Sequence, residues 1–307
     1  LRLSLTLIAL AAGGTAILLS CSRTVAYSQV SRARLEMGTL LEIVAVGPRS
    51  STEEAVAAAF RSVEEVDRRL SNWKAESELS RANASREPFA LSGPTFRSLT
   101  HALTLAAETD GAFDPTVGVF TGAPMVGWRN VVLDPAARTL AFRVAGGAID
   151  SGGFGKGEAL DAAVREIRRH GVTAARLNFG GQISTFGREF RKVALAEPRA
   201  GSSRVLCTFS IAGDGSVSTS AVSEKPGHIV DPRTGRPAAF FGSVTVVSDT
   251  GVRADALSTA LFVLGPDAGL EFANCHGISA LFAVPRDSGG WQLRPSRGFP
   301  RFHTTVS

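Results

Sequence analysis

Cysteine is scarce in this chain of 307 residues: there are three, Cys21, Cys207 and Cys275, and none has a metal-site spacing. Cys207 and Cys275 lie in apolar stretches (Val205-Leu206-Cys207 and Phe272-Ala273-Asn274-Cys275), which predicts two buried thiols and no disulfide. Basic runs are missing as well. The net charge is +5, but the Arg and Lys are scattered and no basic run is interleaved with aromatics. That argues against nucleic acid and leaves an anionic small molecule or an acidic surface as the partner of the excess charge. The chain has no internal repeat, no low-complexity tract and no long linker, so one α+β domain is the simplest arrangement. Walker A and Rossmann fingerprints in their usual spacing are also absent. What remains is a chain with 44% hydrophobic and 20% charged residues, enough apolar material for one sizeable core.

At the N-terminus Arg2 precedes an apolar stretch, Leu3 to Leu19, followed by Ser20-Cys21-Ser22. A basic head, an apolar middle and a small residue before the cut form an export signal. Leu18-Leu19-Ser20-Cys21 also resembles a bacterial lipobox, whose Cys is lipidated after cleavage. The alternative is a plain cleaved signal or an uncleaved anchor. Residues 1–21 are therefore expected to be the signal, and the polar residues 22–34 a tether. The protein is expected on the periplasmic face, lipid-anchored to the inner membrane.

Leu40 to Val46 reads as a strand, and Ser51 with Glu54 as a capping box opening a helix. Val56, Phe60, Val63, Val66 and Leu70 recur on one face of that helix. A second helix is predicted from Pro94 to Asp110, closed by Gly111. Two short strands around Asn130–Leu133 and Leu140–Val144 flank an Asp-Pro turn. A glycine-rich run, Gly152-Gly153-Phe154-Gly155-Lys156-Gly157, then feeds a helix ending near His170-Gly171. Strands follow at 174–179, 193–196, 205–211, 243–247 and 278–284, with a helix from Ala254 to Leu264 and a shorter one after Pro266. The tail from Arg286 has no assignment.

Four features carry chemistry. Glycines let backbone N–H groups approach a ligand, the following helix presents its positive end, and Lys156 adds a point charge for phosphate. The same run can equally be a tight turn. Asp255, Ser258 and Thr259 stack on one helix face. A carboxylate with hydroxyls is hard-oxygen ligation suited to Mg²⁺, although Asp255 can instead complement the helix N-terminus. His228 precedes the Asp231-Pro232 turn and is either structural or a proton acceptor. Ala112-Phe113-Asp114 follows a helix end and can line a pocket, and Trp73 is either a core residue or a platform for a flat ring.

The order of these pieces resembles a known family. Met37-Gly38-Thr39, Leu70-Ser71-Asn72-Trp73, Gly111-Ala112-Phe113-Asp114-Pro115-Thr116-Val117-Gly118, Asp150 through Gly157, Asn178-Phe179-Gly180-Gly181, His228 through Gly235, and Asp255 with Thr259 follow one another as in the FAD:protein FMN transferase (ApbE-like) family. The resemblance runs from Met37 to about Val284. It assigns 35–307 to one such domain, with an α+β fold related to the T-fold. It implies Mg²⁺-dependent transfer of FMN from FAD to a Thr or Ser hydroxyl of an acceptor flavoprotein carrying a flavinylation motif, with release of AMP. By the same resemblance Met37 and Trp73 flank the flavin ring, and Ala112, Phe113, Asp114, Asp150, Lys156 and Val230 contact FAD. Gly153, Asp255, Thr259 and Ser258 hold Mg²⁺, and His228 is the base. Mg²⁺-dependent hydrolysis of FAD to FMN and AMP, or non-catalytic flavin binding by an exported lipoprotein, are the alternatives. The chain departs from the family pattern at Ser151, Gly155 and Gln182, and in a short segment between Gly118 and Asp150.

Overall fold

The computed structural model describes residues 4–8, 18–22, 26–118, 124–211, 213–222 and 227–305, the first two segments by their backbone alone. β1 (Ser4–Ile8) pairs antiparallel with β2 (Leu18–Ser22). The side chains of the expected export segment, Cys21 included, lie outside the described residues, as does Ser223-Glu224 before His228. Among the described residues no helix is long and apolar enough to cross a membrane.

β3 (Tyr27–Glu36) and β4 (Thr39–Pro48) form a hairpin turning at Met37 and Gly38, both at positive φ. Most of the expected tether is thus a strand. β3 is an edge strand with Val30 as its one buried residue, so its sequence looks as polar as a linker. α1 (Arg49–Leu70) follows, and its stripe of Val56, Phe60, Val63, Val66 and Leu70 is fully buried. The expected capping box does not form. The helix starts behind Pro48 without a side-chain cap, and the Ser51 and Thr52 hydroxyls donate back to the Pro48 carbonyl instead.

α2 (Glu78–Ala84), β5 (Phe89–Ala90), α3 (Gly93–Glu108), β6 (Val131–Asp134) and β7 (Thr139–Phe142) come next, with Gly111 at φ +79° closing the end of α3. α4 (Gly155–Arg169) leads into β8 (Ala174–Phe179), β9 (Gln182–Phe186), β10 (Lys192–Ala196), β11 (Val205–Ser210) and β12 (Gly215–Ala221). A small hairpin, β13 (Val230–Asp231) and β14 (Arg236–Pro237), precedes β15 (Ser243–Ser248). α5 (Gly251–Leu264), α6 (Pro266–Cys275), β16 (Ser279–Pro285), β17 (Trp291–Pro295) and β18 (Phe302–Thr304) complete the chain, so the unassigned tail contributes two strands.

The main sheet has eight antiparallel strands in the order β17-β16-β15-β12-β9-β8-β4-β3. α1, α4 and α5 pack side by side over one face, giving the larger core. The sheet β10-β11-β18 covers part of the other face through Ile183, Val193, Leu195, Phe209, Val217 and Leu281. Cys207 is buried in that second core as expected, but Cys275 is exposed because α6 turns only Gly269 and Ala273 fully inward. β9 and β12 escape the sequence pattern because they are covered on both faces, so polar and apolar residues do not alternate along them.

Candidate functional site

The glycine-rich run is held from outside by two asparagines. Asn72, just past the end of α1, donates to the Ile149 carbonyl at 2.9 Å and accepts from the Ser151 backbone N–H at 2.8 Å. Asn83, on α2, exchanges two 2.8 Å bonds with the backbone N–H and C=O of Ile149. The Ser151 hydroxyl lies 2.7 Å from the Leu70 carbonyl and 2.9 Å from Asn72 Oδ1. Ser151 therefore works as part of the clamp. Asp150 is buried, and its Oδ1 accepts from the Gly152 N–H at 2.8 Å, folding the run back on itself.

The run then meets α5. A Cβ on Gly153 would lie 3.0 Å from the Phe113 ring and 3.7 Å from Thr259 Oγ1, so these three residues are neighbours. A Cβ on Gly157 would fall 2.3 Å from the Gly251 carbonyl oxygen, so α4 and α5 touch backbone to backbone. The Gly157 N–H donates to Asp255 Oδ2 at 3.2 Å, and Lys156 Nζ stands 3.7 Å from Asp255 Oδ1. Met37, at the hairpin tip, brings its Cε to within 3.5 Å of where a Gly155 Cβ would be. Met37, Phe113, Gly153, Lys156, Asp255 and Thr259 thus converge from four separate stretches of sequence.

Other expected site residues are placed differently. Ser258 is completely buried, and its hydroxyl is engaged by Ser220 at 2.8 Å, Ser218 at 3.2 Å and the Asp255 carbonyl at 3.0 Å. It joins α5 to β12, which takes it away from the expected cation set. Asp114 is also buried and braces its own loop. Its carboxylate accepts from the N–H and hydroxyl of Thr116 and from the Trp128 N–H. Ala112 and Phe113 are buried, Phe113 against Gly153, while Trp73 is 76% exposed. His228 and Val230 come from the β13–β14 segment, where Val230 pairs with Pro237. That hairpin is anchored by buried Ile229, whose carbonyl accepts from the Ala238 N–H at 2.8 Å.

Asp255 offers a buried carboxylate whose partners among the described residues are one 3.2 Å N–H bond and a lysine at 3.7 Å. With the half-buried Thr259 hydroxyl and the adjacent Gly153 backbone, this is an oxygen donor set open to a hard divalent cation. Among the described residues there is no group of three or more His, Cys, Asp or Glu that could hold a metal ion, so a cation here would depend on hydroxyl and backbone oxygens beside the one carboxylate.

A family model described as the ApbE family matches residues 37–123 and 120–282, which include every residue of this cluster. The chain belongs to the ApbE family. Among curated relatives, the FAD:protein FMN transferase of Klebsiella pneumoniae (strain 342) is 28% identical over 342 aligned positions, covering 95% of both chains. The enzyme of the same description from Vibrio cholerae is 29% identical over 264 positions, 75% of this chain and 79% of that one. Among solved structures, the flavin transferase ApbE from Vibrio cholerae superposes with a TM-score of 0.78 at 27% identity, over 89% of this chain and 99% of that one. The ApbE protein from Thermotoga maritima gives a TM-score of 0.79 at 25% identity, over 89% and 100%. The single mixed helix-and-sheet domain is therefore the ApbE fold. Within this ApbE chain, sequence reasoning missed Asn72, Asn83 and Ser151 as loop clamps and Asp161 and Gln182 behind α5. An Asn one residue before the end of a short helix is no signal by itself, and side chains that bond distant backbone leave none.

Proposed function

We propose that this protein transfers the FMN half of FAD to a Ser or Thr hydroxyl of an acceptor protein and releases AMP. The observation that carries this reading is the meeting of the glycine-rich run with α5, which gathers Gly153, Lys156, Asp255 and Thr259 in an ApbE-family chain. The named activities of the relatives in Klebsiella and Vibrio support it. The acceptor oxygen attacks the phosphorus on the FMN side of the pyrophosphate. A phosphoester forms, the P–O bond to the AMP phosphate breaks, and the hydroxyl proton passes to an imidazole nitrogen of His228.

Asp255, Thr259 and the Gly153 backbone would hold Mg²⁺, which supplies charge neutralisation at the pyrophosphate. Lys156 adds positive charge at the same end of α4, where the helix dipole already favours an anion. Met37, beside Gly155, and the exposed Trp73 would bracket the flavin ring, and Asp150, just before the glycine-rich run, would contact FAD. Export and lipid attachment at Cys21 belong to the same proposal. They rest on the basic head, the apolar stretch and the lipobox-like residues of the sequence.

The test is intact-protein mass spectrometry of a candidate acceptor carrying an Asp-x-x-Ser/Thr-Gly-Ala-Ser/Thr segment, incubated with this protein, FAD and Mg²⁺, with AMP followed in parallel. A covalent FMN adduct that EDTA abolishes is expected. AMP and free FMN without an adduct would instead make the protein an FAD hydrolase. FAD bound without either product would make it a flavin carrier.

A further inference from the structure

α5 carries the carboxylate and hydroxyl of the site, yet its own first turn does not hold its start. Thr250, at the N-cap position, makes no side-chain capping bond. The cap comes from another helix. Asp161 of α4 accepts from the Gly251 N–H at 2.6 Å through one oxygen and from the Val252 N–H at 3.0 Å through the other. The Gly251 carbonyl is held in turn by Gln182 Nε2 of β9 at 2.9 Å, within the buried interior. The third attachment is steric, since a Cβ on Gly251 would lie 2.6 Å from the Gly157 carbonyl oxygen. One residue is thereby pinned through its N–H, its C=O and its Cα by side chains and backbone of two other elements. Asp255 follows four residues later, about 6 Å along a continuous helix.

An Asp at position 250 would cap first-turn N–H groups locally, which Thr250 does not do, and without a buried carboxylate. Burial pushes the Asp161 carboxyl up to about 6, against the two backbone bonds that favour its charge. What Asp161 offers beyond capping is a fixed offset between α4 and α5. That offset is the relation between Gly153 and Lys156 on one side and Asp255 and Thr259 on the other.

We propose that Asp161, assisted by Gln182, is a positioning residue that sets the register of α5 against α4 and thereby the geometry of the cation site. This inference rests on the transferase reading of that site. The probe is Mn²⁺ in place of Mg²⁺, its binding to the full chain followed by loss of the free-ion electron paramagnetic resonance signal, with the thermal midpoint measured alongside. Asp161→Asn is expected to weaken Mn²⁺ binding about tenfold or more, as loss of groups supporting metal ligands does. Adding Thr250→Asp supplies a local cap. It is expected to restore any loss of thermal midpoint but not the Mn²⁺ affinity. Wild-type affinity in Asp161→Asn, or affinity restored by Thr250→Asp, would overturn the positioning role and leave plain capping. Gln182→Leu removes a single attachment and keeps the volume, so it serves if Asp161→Asn does not fold. About a threefold weakening is expected from the loss of one hydrogen bond, and unchanged affinity overturns the inference. If the wild-type chain binds no Mn²⁺, the metal reading of the site falls and this inference with it. If it binds and the variants match it, the inference alone falls.

Discussion

Asp255 sits one turn into a helix buried nearly all round, whereas His228 precedes a hairpin whose two strands have two residues each. The first region is fixed by backbone contact: Gly157 against Gly251, Asp161 on the start of α5, and Ser258 locked to Ser218 and Ser220. The second is more exposed. Ile229 is its buried anchor, and Arg233 pairs with Asp231 at 2.9 Å while reaching the Val263 carbonyl at 3.2 Å. The Arg233 guanidinium holds the Asp231 carboxyl below the usual carboxylate range, but the arginine side chain is 53% exposed. Such a pair contributes about 1 kcal/mol at most. The difference suits the proposed division of labour. A cation and a pyrophosphate need fixed charges at fixed distances. A base that must meet the hydroxyl of a separate protein can sit on a segment that adjusts to it.

Breaking the rigid half should have the largest effect. Asp255→Ala is expected to lower Mg²⁺-dependent AMP release by about a thousandfold, the order expected when the charge-stabilising group of a transfer reaction is lost. Activity within tenfold of wild type would remove Asp255 from the site. His228→Ala is expected to slow FMN transfer about a hundredfold, within the usual range for a general base. FAD affinity, measured by flavin fluorescence quenching, should change little. Equal losses in binding and turnover would make His228 a binding residue and erase the contrast between the two regions.

Gly157→Ala tests the backbone contact itself. The new methyl would meet the Gly251 carbonyl oxygen at 2.3 Å and the Val252 Cα at 2.6 Å, both backbone atoms, so the helices must separate. About 3 kcal/mol of stability should be lost, as for overpacking in a close-packed core, with activity falling alongside. Gly298→Ala, where a Cβ meets nothing within 4 Å, is the control and should stay within about 0.5 kcal/mol. Comparable urea midpoints for the two variants would show that α4 and α5 do not depend on their close approach.

Periodicity made the stripe of α1 and the face shared by Asp255 and Thr259 legible, because both follow from helix geometry alone. The glycine-rich run feeding α4 was legible from its composition. The start of α5 was not: Gly251-Val252-Arg253 carries no local start signal, since its cap is Asp161, ninety residues earlier. Spacing also placed Ser258 with the cation ligands, and a sheet strand that spacing does not report claimed its hydroxyl. β9 and β12 were missed because burial on both faces erases alternation. β3 looked like a tether because an edge strand keeps one apolar residue inward. Where local chemistry decides structure, the sequence speaks. Where a distant partner decides it, the sequence is silent.

The smallest expected effect isolates what the rigid half costs. Burial raises the Asp161 carboxyl from 3.8 to about 6, opposed by the Gly251 and Val252 N–H bonds, raised further by Glu158 and lowered by Arg165. The folded chain therefore holds this proton more tightly than the unfolded chain. The resulting stabilisation is complete below about pH 4 and is lost as the pH rises through about 6. Its full extent is at most about 3 kcal/mol. Asp161→Asn carries no titrating group there. Urea midpoints of wild type and variant should diverge across this window, the wild type losing stability relative to the variant as pH rises. Every other carboxylate is common to both proteins and cancels in the difference. Parallel curves would mean that the Asp161 carboxyl titrates alike in the folded and unfolded chains. In that case the buried charge at the start of α5 would exact no cost, and the contrast between the buried start of α5 and the more exposed β13–β14 hairpin would lose its energetic basis.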